Sequence, residues 1–416
     1  MKIEGPRAKL LALVIPALCV GVACGLILAA VDALAEGLQH LVWDDLPEAL
    51  GVAGEPAWWT VLILTAAGLL VGLVVWRFPG GAGPDPATEG LIGPPLKPAT
   101  VPGLLLATVL TLAGGVSLGP ENPITAVNVT LAVALGLRFL PSIKGEMWLG
   151  LATAGTIGAL FGTPVAAALI LSEVFAGKSD TALWDRLFGP LLAAGAGALT
   201  TSVMAHAAIE IDLPAYPGFH LVDLVSGTAI AVAACALGLS AVYAFPKVHG
   251  LFQRVGHPVL MIGLGGLVLG VLGAIGGRIT LFKGLSEMQE LLAEQHTNGG
   301  LLLIVLVKLA ALLTAATCGF KGGRIFPIVF VGVVFGLLAH QLVDAVPIGL
   351  AVGSALLGVL LATTRQGWLS LFLAVTVVAD IALLPVLCVI LAPAWLLATG
   401  RPEMQIKSEH REAVAR

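Results

Sequence analysis

The chain has 416 residues, of which 58% are hydrophobic and only 11% are charged. Soluble domains carry about 25% charged residues, so this composition excludes an ordinary soluble protein. The mean hydropathy of +1.01, together with repeated apolar runs of about 20 residues, predicts an all-α polytopic membrane protein. The net charge of −4 says little about partners, because the positions of Lys and Arg relative to the spans set the orientation.

The apolar runs follow one another with short polar connections between them. The predicted runs cover residues 10–34, 58–75, 104–112, 124–139, 148–175, 187–204, 221–244, 259–275, 301–317, 328 onwards, 347–363 and 369–397. The run 148–175 is too long for one straight span, and we expect it to break at Gly162-Thr163-Pro164. The most polar internal stretch, residues 287–298, is predicted to be an extramembrane loop.

Basic residues lie at both ends of the chain. They are Lys2, Arg7 and Lys9 before the first run, and Arg401, Lys407, Arg411 and Arg416 after the last. Because Lys and Arg near the spans are retained on the cytoplasmic side, both termini are predicted to be cytoplasmic.

Two short motifs interrupt the apolar sequence at corresponding places about 200 residues apart. Gly119-Pro120-Glu121-Asn122-Pro123 and Gly323-Arg324-Ile325-Phe326-Pro327 each end a glycine-rich break and precede a new apolar run. Proline fits the first turn of a helix, so each motif predicts a helix N-terminus. Paired broken segments in two halves indicate a binding site at the membrane midplane, and helix N-termini favour an anion there.

Glu121 can be interpreted in two ways. As a helix-capping carboxylate it would stabilise its own N-terminus by about 0.3–1 kcal/mol. A charged group deep in a membrane costs roughly 2.5 kcal/mol or more, and by default it marks an ion pathway. The repeated motif favours the second interpretation, in which Glu121 gates the pathway.

At this point the chain resembles the CLC family of chloride channels and proton-coupled chloride exchangers, and in particular a small divergent bacterial branch of it. The family's G-[KR]-E-G-P motif resembles Gly119-Pro120-Glu121-Asn122-Pro123, and its G-x-F-x-P motif resembles Gly323-Arg324-Ile325-Phe326-Pro327, with the aromatic one place late. Its G-S-G-I-P motif resembles Gly81-Ala82-Gly83-Pro84-Asp85-Pro86. The start of the family's last helix resembles Gly400-Arg401-Pro402-Glu403-Met404.

The resemblance implies one CLC-type membrane domain over residues 1–416, without CBS domains. Its two inverted-topology repeats of tilted and broken helices would cover about 8–212 and 219–400, followed by a short cytoplasmic tail, 401–416. It further implies a homodimer in a bacterial inner membrane, with a separate pore in each subunit and Glu121 as the gate. The anion-binding positions that it implies are Gly119, Pro120, Asn122, Arg324, Ile325, Phe326, Ala82, Gly83 and Met404.

Three positions depart from the family pattern. The family's serine is replaced by Ala82 or Gly83, and its tyrosine by Met404, so two hydroxyl ligands are missing. The inner proton-relay glutamate of the family's exchangers corresponds to Val174, as in channels, although the neighbouring Glu173 is retained. These departures favour channel-like, glutamate-gated permeation of a small monovalent anion, most simply chloride.

Two alternatives stay open at this stage. One is a proton-coupled exchanger of chloride or fluoride that uses Glu173 or water as its inner relay. The other is an intramembrane enzyme with Glu121, Asp85 or Asp380 as acid or base. The histidines and cysteines lack metal-ligand spacing, and no phosphate-binding or basic aromatic tract occurs, so we expect no metal, no cofactor and no nucleic-acid partner. Lys308 is expected either to have a structural partner or to contribute positive potential, and Asp380 to accept an internal hydrogen bond.

Overall fold

The computed structural model describes residues 6–52, 54, 56–174, 182–204 and 209–406. Helices dominate this part of the chain, and no strand forms within it; Gly119 and Gly323 make an isolated antiparallel bridge. The all-α prediction is confirmed. Nine helical segments of the described residues are long and apolar enough to cross a bilayer.

Sixteen α-helices follow one another along the described residues. They are α1 (Pro6–His40), α2 (Leu46–Ala49), α3 (Ala57–Arg77), α4 (Val101–Ala113), α5 (Glu121–Phe139), α6 (Gly145–Phe161), α7 (Pro164–Val174), α8 (Leu183–Met204), α9 (Leu221–Gln253), α10 (Pro258–Gly276), α11 (Leu285–Ala293), α12 (Asn298–Cys318), α13 (Ile325–Leu342), α14 (Ile348–Thr364), α15 (Gly367–Val378) and α16 (Leu384–Ala398). Short 3-10 turns occupy Pro79–Ala82, Pro86–Thr88, Pro98–Thr100, Arg278–Thr280 and Ile381–Leu383, and a π-helical turn, Leu41–Asp45, continues α1.

The helix breaks agree with the sequence in one place and differ in two. The predicted break at Gly162-Thr163-Pro164 is confirmed, because Gly162 adopts the left-handed conformation between α6 and α7. The run 369–397, predicted as one span, is two helices, because the chain turns at Ala379 with φ +56° and the Asp380 side chain caps the next turn. The predicted loop 287–298 contains most of α11, whose polar residues concealed its helical pattern.

Glycine brings the helices into backbone contact. A Cβ on Gly266 of α10 would overlap the Leu64 carbonyl of α3, so these two helices pack at the distance that only glycine permits. The same relation joins Gly158 of α6 to the Ala194 backbone of α8, and Gly358 of α14 to the Ala231 backbone of α9. The high glycine content therefore serves close helix packing.

Lys308 of α12 is fully buried and has structural partners. Its Nζ donates to the carbonyl oxygens of Leu281 at 2.6 Å and Phe282 at 3.0 Å, and it lies 4.7 Å from the centroid of the Phe330 ring. The Phe282 N–H in turn donates to the Gly115 carbonyl at 3.0 Å. Lys308 thus fixes the turn that packs against the glycine-rich break before α5.

Candidate anion site

The two predicted N-termini meet in the middle of the molecule. The helices α5 and α13 begin at Glu121 and Ile325, directly after the bridged pair Gly119 and Gly323. The N–H of Gly119 donates to the Gly323 carbonyl at 2.9 Å, and the N–H of Gly323 donates to the Gly119 carbonyl at 2.6 Å. Because the first N–H groups of a helix have no partner within it, this bridge brings two positive helix ends to one place.

Glu121 lies between these helix ends. Its side chain is fully buried, and Oε1 accepts a hydrogen bond from the backbone N–H of Phe326 at 2.8 Å. Oε2 is also buried and has no hydrogen-bond partner among the described residues. A carboxylate from the start of α5 therefore occupies the N-terminus of α13, where a free anion would be stabilised.

The two bridged glycines provide the space for this carboxylate. A Cβ on either Gly119 or Gly323 would overlap the Glu121 carboxyl oxygens. The glycine pairs were read in the sequence as helix breaks. Their contact with Glu121 was missed, because one sequence gives no sign that both glycines approach the same side chain.

A cavity of about 90 Å³ lies beside the Glu121 site. Four of the predicted anion-binding residues line it: Asn122, Arg324, Ile325 and Met404. Glu121 is not among the lining residues, and its Oε2 atom is inaccessible, so its carboxylate is closed off from this cavity. Gly119, Pro120 and Phe326 are buried around the carboxylate instead.

Arg324 is held by two contacts at the edge of this cavity. Its Nη2 donates to the Glu89 carbonyl, and its Cζ lies 5.4 Å from the centroid of the Phe245 ring. Its Nη1 atom is buried and has no hydrogen-bond partner among the described residues. The structure places its guanidinium at the cavity.

Ala82 and Gly83, expected as backbone ligands, do not line the cavity. The Gly83 N–H already donates to the Gly80 carbonyl at 3.2 Å. The carbonyl oxygens of Gly83 and Pro84 accept from the buried ammonium of Lys321, at 2.9 and 2.8 Å. Sequence reasoning did not single out Lys321; the available signal was a lysine inside an apolar helix break.

Met404 lies in a non-helical segment, not at the start of a helix. The described part of the tail is non-helical after α16, so the expected last helix at Gly400 is wrong there. The Met404 N–H donates to the Thr363 carbonyl at 3.3 Å, and the Ile406 N–H donates to the Ala87 carbonyl at 2.9 Å. We call residues 400–406 the C-terminal strap, because these bonds hold it across the cavity.

Glu173, the candidate inner proton acceptor, lies elsewhere. It is an exposed residue near the end of α7 and borders a separate groove with Trp368 and Trp395. The side chain of Val174 lies outside the described side chains. The structure therefore does not bring Glu173 to the cavity that Arg324 lines.

The connection between α3 and α4 carries two more acidic groups. Burial raises the pKa of the Glu89 carboxyl, and the nearby charges of Lys321 and Arg324 offset only part of this rise. Burial also opposes ionisation of Asp85, but hydrogen bonds from His249 and the Ala87 N–H prevail and lower its pKa. Asp85 has a structural role in this arrangement, as does Asp380, which accepts from the N–H of Tyr216 at 2.8 Å.

The paired helix N-termini, the buried glutamate between them and the broken spans define a membrane protein of the ion-transport class. Residues 64–399 match the family model described as voltage gated chloride channel. The chain is 50% identical over 403 residues to the "Putative ion-transport protein YfeO" of Escherichia coli O139:H28 (strain E24377A / ETEC), covering 96% of each chain. It is 51% identical over 403 residues to the protein of the same name from Escherichia fergusonii, again covering 96% of each. The chain belongs to the voltage-gated chloride channel, or CLC, family.

Solved structures agree with this fold. A CLC-type fluoride/proton antiporter superposes with a TM-score of 0.77 at 19% identity, over 96% of this chain and 99% of that one. A slow cyanobacterial Cl⁻/H⁺ antiporter superposes with a TM-score of 0.79 at 19% identity, over 94% and 95% of the two chains. The predicted CLC-like fold is confirmed.

The contact between Gly323 and Glu121 gives a first test. In Gly323→Ala, the new methyl group would overlap the carboxylate, so we expect Glu121 to leave the Phe326 N–H and anion flux to become constitutive. A structure of the variant and a liposome flux assay measure the two effects. Gly367→Ala is the matched control, since a Cβ there meets nothing within 4 Å. An unmoved Glu121 with flux equal to that of the control would contradict the proposed contact.

Proposed function

We propose that this protein moves a small monovalent anion, chloride or fluoride, across the membrane, with Glu121 as the gate. The observation that carries the proposal is the buried hydrogen bond between Glu121 Oε1 and the Phe326 N–H, at the N-terminus of a helix to which Glu121 does not belong. An anionic side chain at a helix N-terminus can be exchanged for an anionic ligand, because both are stabilised by the same N–H groups and dipole.

Protonation would release this gate. A protonated carboxyl group has no net charge, so it loses the stabilisation that α13 gives to the carboxylate. The side chain would leave, and an anion could accept the hydrogen bond from the Phe326 N–H in its place. Asn122, Arg324 and Ile325 would then contact the ion in the neighbouring cavity, which Met404 of the C-terminal strap also lines.

Proton-coupled exchange is the form of transport that we propose first. A gate that takes up a proton whenever an anion enters links the two fluxes directly, and the two superposed structures are those of antiporters. Glu173 supports an inner proton step, because its exposed carboxyl group borders a groove and can reach water. The residue Val174, at the family's relay position, favours the second candidate, a channel that moves the anion alone.

The proposal includes a membrane setting and an assembly. A bacterial inner membrane with both termini in the cytoplasm is consistent with the basic residues at each end of the sequence. We also propose two inverted repeats, supported by the Gly119–Gly323 bridge between equivalent helix starts, and a homodimer with one pore per subunit. Large exposed apolar side chains on α8 and α16, such as Leu199 and Leu396, leave surface for lipid or for a second copy.

Replacement of Glu121 tests the gate and the coupling together. In proteoliposomes we expect wild-type anion flux to rise as pH falls, by up to about tenfold per pH unit, the limit for one titrating proton. In Glu121→Gln and Glu121→Ala, flux should no longer depend on pH, and an anion gradient should no longer drive protons. Glu48→Gln removes an exposed carboxylate and serves as the control.

Two results of that assay would contradict parts of the proposal. Unchanged flux and an unchanged pH response in both Glu121 variants would contradict the role of Glu121 as the gate. Anion movement by the wild type without any proton movement would contradict proton-coupled exchange and support the second candidate, a channel.

Glu173→Gln tests the inner proton step. The amide cannot carry a proton, so we expect proton movement to slow while anion flux persists. Simultaneous pH and anion recordings from the same liposomes measure the ratio, with Glu48→Gln as the control. Unchanged proton movement would contradict a role for Glu173 and would leave water as the relay.

A further inference from the structure

A second cavity, of about 270 Å³, lies between the end of α1, the end of α4 and the start of α11. Its polar lining comes from α1 and from the stretch around the start of α11: Asp32, Glu36, Gln39, His40, Lys283, Ser286 and Glu287. None of these residues lines the cavity beside Glu121. Three carboxylates share this lining with one ammonium, so its charge favours a positively charged ligand.

Glu287 has one carboxylate oxygen without a hydrogen-bond donor. The residue is 4% exposed, and its Oε1 accepts from the Ser286 hydroxyl at 3.1 Å. Its Oε2 is buried and has no hydrogen-bond partner among the described residues. The first turn of α11 stabilises a carboxylate through the helix dipole, but the dipole gives Oε2 no hydrogen bond. Because a buried charged group is costly to leave unsatisfied, this oxygen calls for a donor in the cavity.

The two lysines near Glu287 are already engaged elsewhere. Lys283 Nζ donates to Asp32 Oδ1 at 3.3 Å, so the chain itself places one ammonium against a carboxylate of this cavity. Lys308 acts on Glu287 through its charge, but its Nζ donates to the carbonyls of Leu281 and Phe282. A further ammonium group, supplied by a ligand, can therefore donate to the open oxygen of Glu287.

The shape of the lining favours an organic ammonium ion over a metal ion. In the part of the chain that the structure describes, no three Asp, Glu, His or Cys residues form a group that could hold a metal. An ammonium group has three N–H donors, which can reach acceptors that do not converge on one point. Ala35, Leu112 and Phe282 give the same cavity an apolar wall, which suits the methylene groups of an aliphatic amine.

We propose that this cavity binds primary alkylammonium ions, the class that includes methylammonium, ethanolamine and short diamines. The ammonium group would donate to Glu287 Oε2 and to the side chains of Glu36 and Gln39, with its methylene groups against Phe282. Glu36 and His40 are exposed, so the ligand can enter from solvent. The site is separate from the cavity beside Glu121 and goes beyond the movement of anions.

Phe282 connects this cavity to the gate. It lines the cavity, and its N–H donates to the Gly115 carbonyl at 3.0 Å, in the glycine-rich break before α5. A ligand packed against Phe282 would hold this turn in place, so we expect it to slow the movement of Glu121 and hence the anion flux. This second effect rests on the proposed transport function, whereas binding of the amine does not.

Isothermal titration calorimetry of the purified full chain with methylammonium, ethanolamine and 1,4-diaminobutane tests the site, at fixed ionic strength and with gluconate as the counterion. We expect these amines to bind at least about tenfold more tightly than tetramethylammonium, which has no N–H donor, as one charge-assisted hydrogen bond provides. Glu287→Gln should weaken amine binding by about tenfold or more. Glu36→Gln, at an exposed position that does not affect the interior, should weaken it severalfold, and Glu48→Gln is the matched control.

The outcomes separate the amine site from transport itself. Equal affinities for methylammonium and tetramethylammonium would overturn the inference, as would amine affinities unchanged in both Glu287→Gln and Glu36→Gln. Binding of Mg²⁺ in preference to every amine would overturn the ligand class. Any of these results could accompany normal anion flux in liposomes, which would leave the proposed function intact. Amine binding that depends on Glu287, without flux of any anion, would support the site and contradict the proposed function.

Liposome flux with and without 1,4-diaminobutane tests the connection through Phe282. We expect the diamine to slow anion flux in the wild type and in Glu48→Gln, and to have no effect in Glu287→Gln. Equal slowing in Glu287→Gln would contradict this connection, because the diamine would then act at another place.

Discussion

The hydrogen bond from the Phe326 N–H to the Glu121 carboxylate is the interaction on which the centre of this structure depends. It joins the first residue of α5 to the second residue of α13, across the Gly119–Gly323 bridge. Two helices that start in the interior leave unpaired N–H groups there, and this is tolerable only where a negative group or a polar cavity meets them. Glu121 supplies the negative group from within the chain.

The surrounding packing makes this meeting of helix ends possible. The glycines of α6, α8, α9 and α14 allow these helices to approach through close, largely backbone contact. Lys308 binds the turn at Leu281 and Phe282, and Lys321 binds the turn at Gly83 and Pro84. Each buried ammonium thus satisfies carbonyl groups in irregular backbone, which would otherwise be unpaired at membrane depth.

The sequence was informative where a local pattern had one structural solution. The paired motifs around Glu121 and Phe326 predicted two helix starts, because glycine followed by proline before an apolar run permits little else. The break at Gly162 was readable for the same reason. The packing around the Glu121 carboxylate could not be predicted in this way. It depends on Gly119 and Gly323 both contacting one side chain, which is a contact between distant parts of the chain.

Other features could not be derived from one sequence. Arg324 and Lys321 are close in the chain, yet one lines a cavity and the other fixes a loop, and only the three-dimensional contacts distinguish them. The C-terminal strap was expected to be helical by resemblance, whereas its N–H groups pair with the carbonyls of Thr363 and Ala87. The turn at Ala379 was hidden within a continuous apolar run, since a residue other than glycine adopts the positive φ there.

The most direct test of the central claim is to ask whether an anion replaces the Glu121 carboxylate. Crystals of Glu121→Ala grown in bromide should show an anomalous peak within hydrogen-bonding distance of the Phe326 N–H, at the position of the missing carboxyl group. Wild-type crystals at neutral pH should show the carboxylate there and no bromide. Bromide absent from that position in Glu121→Ala, or present there in the wild type beside an unmoved Glu121, would contradict the exchange of gate and anion.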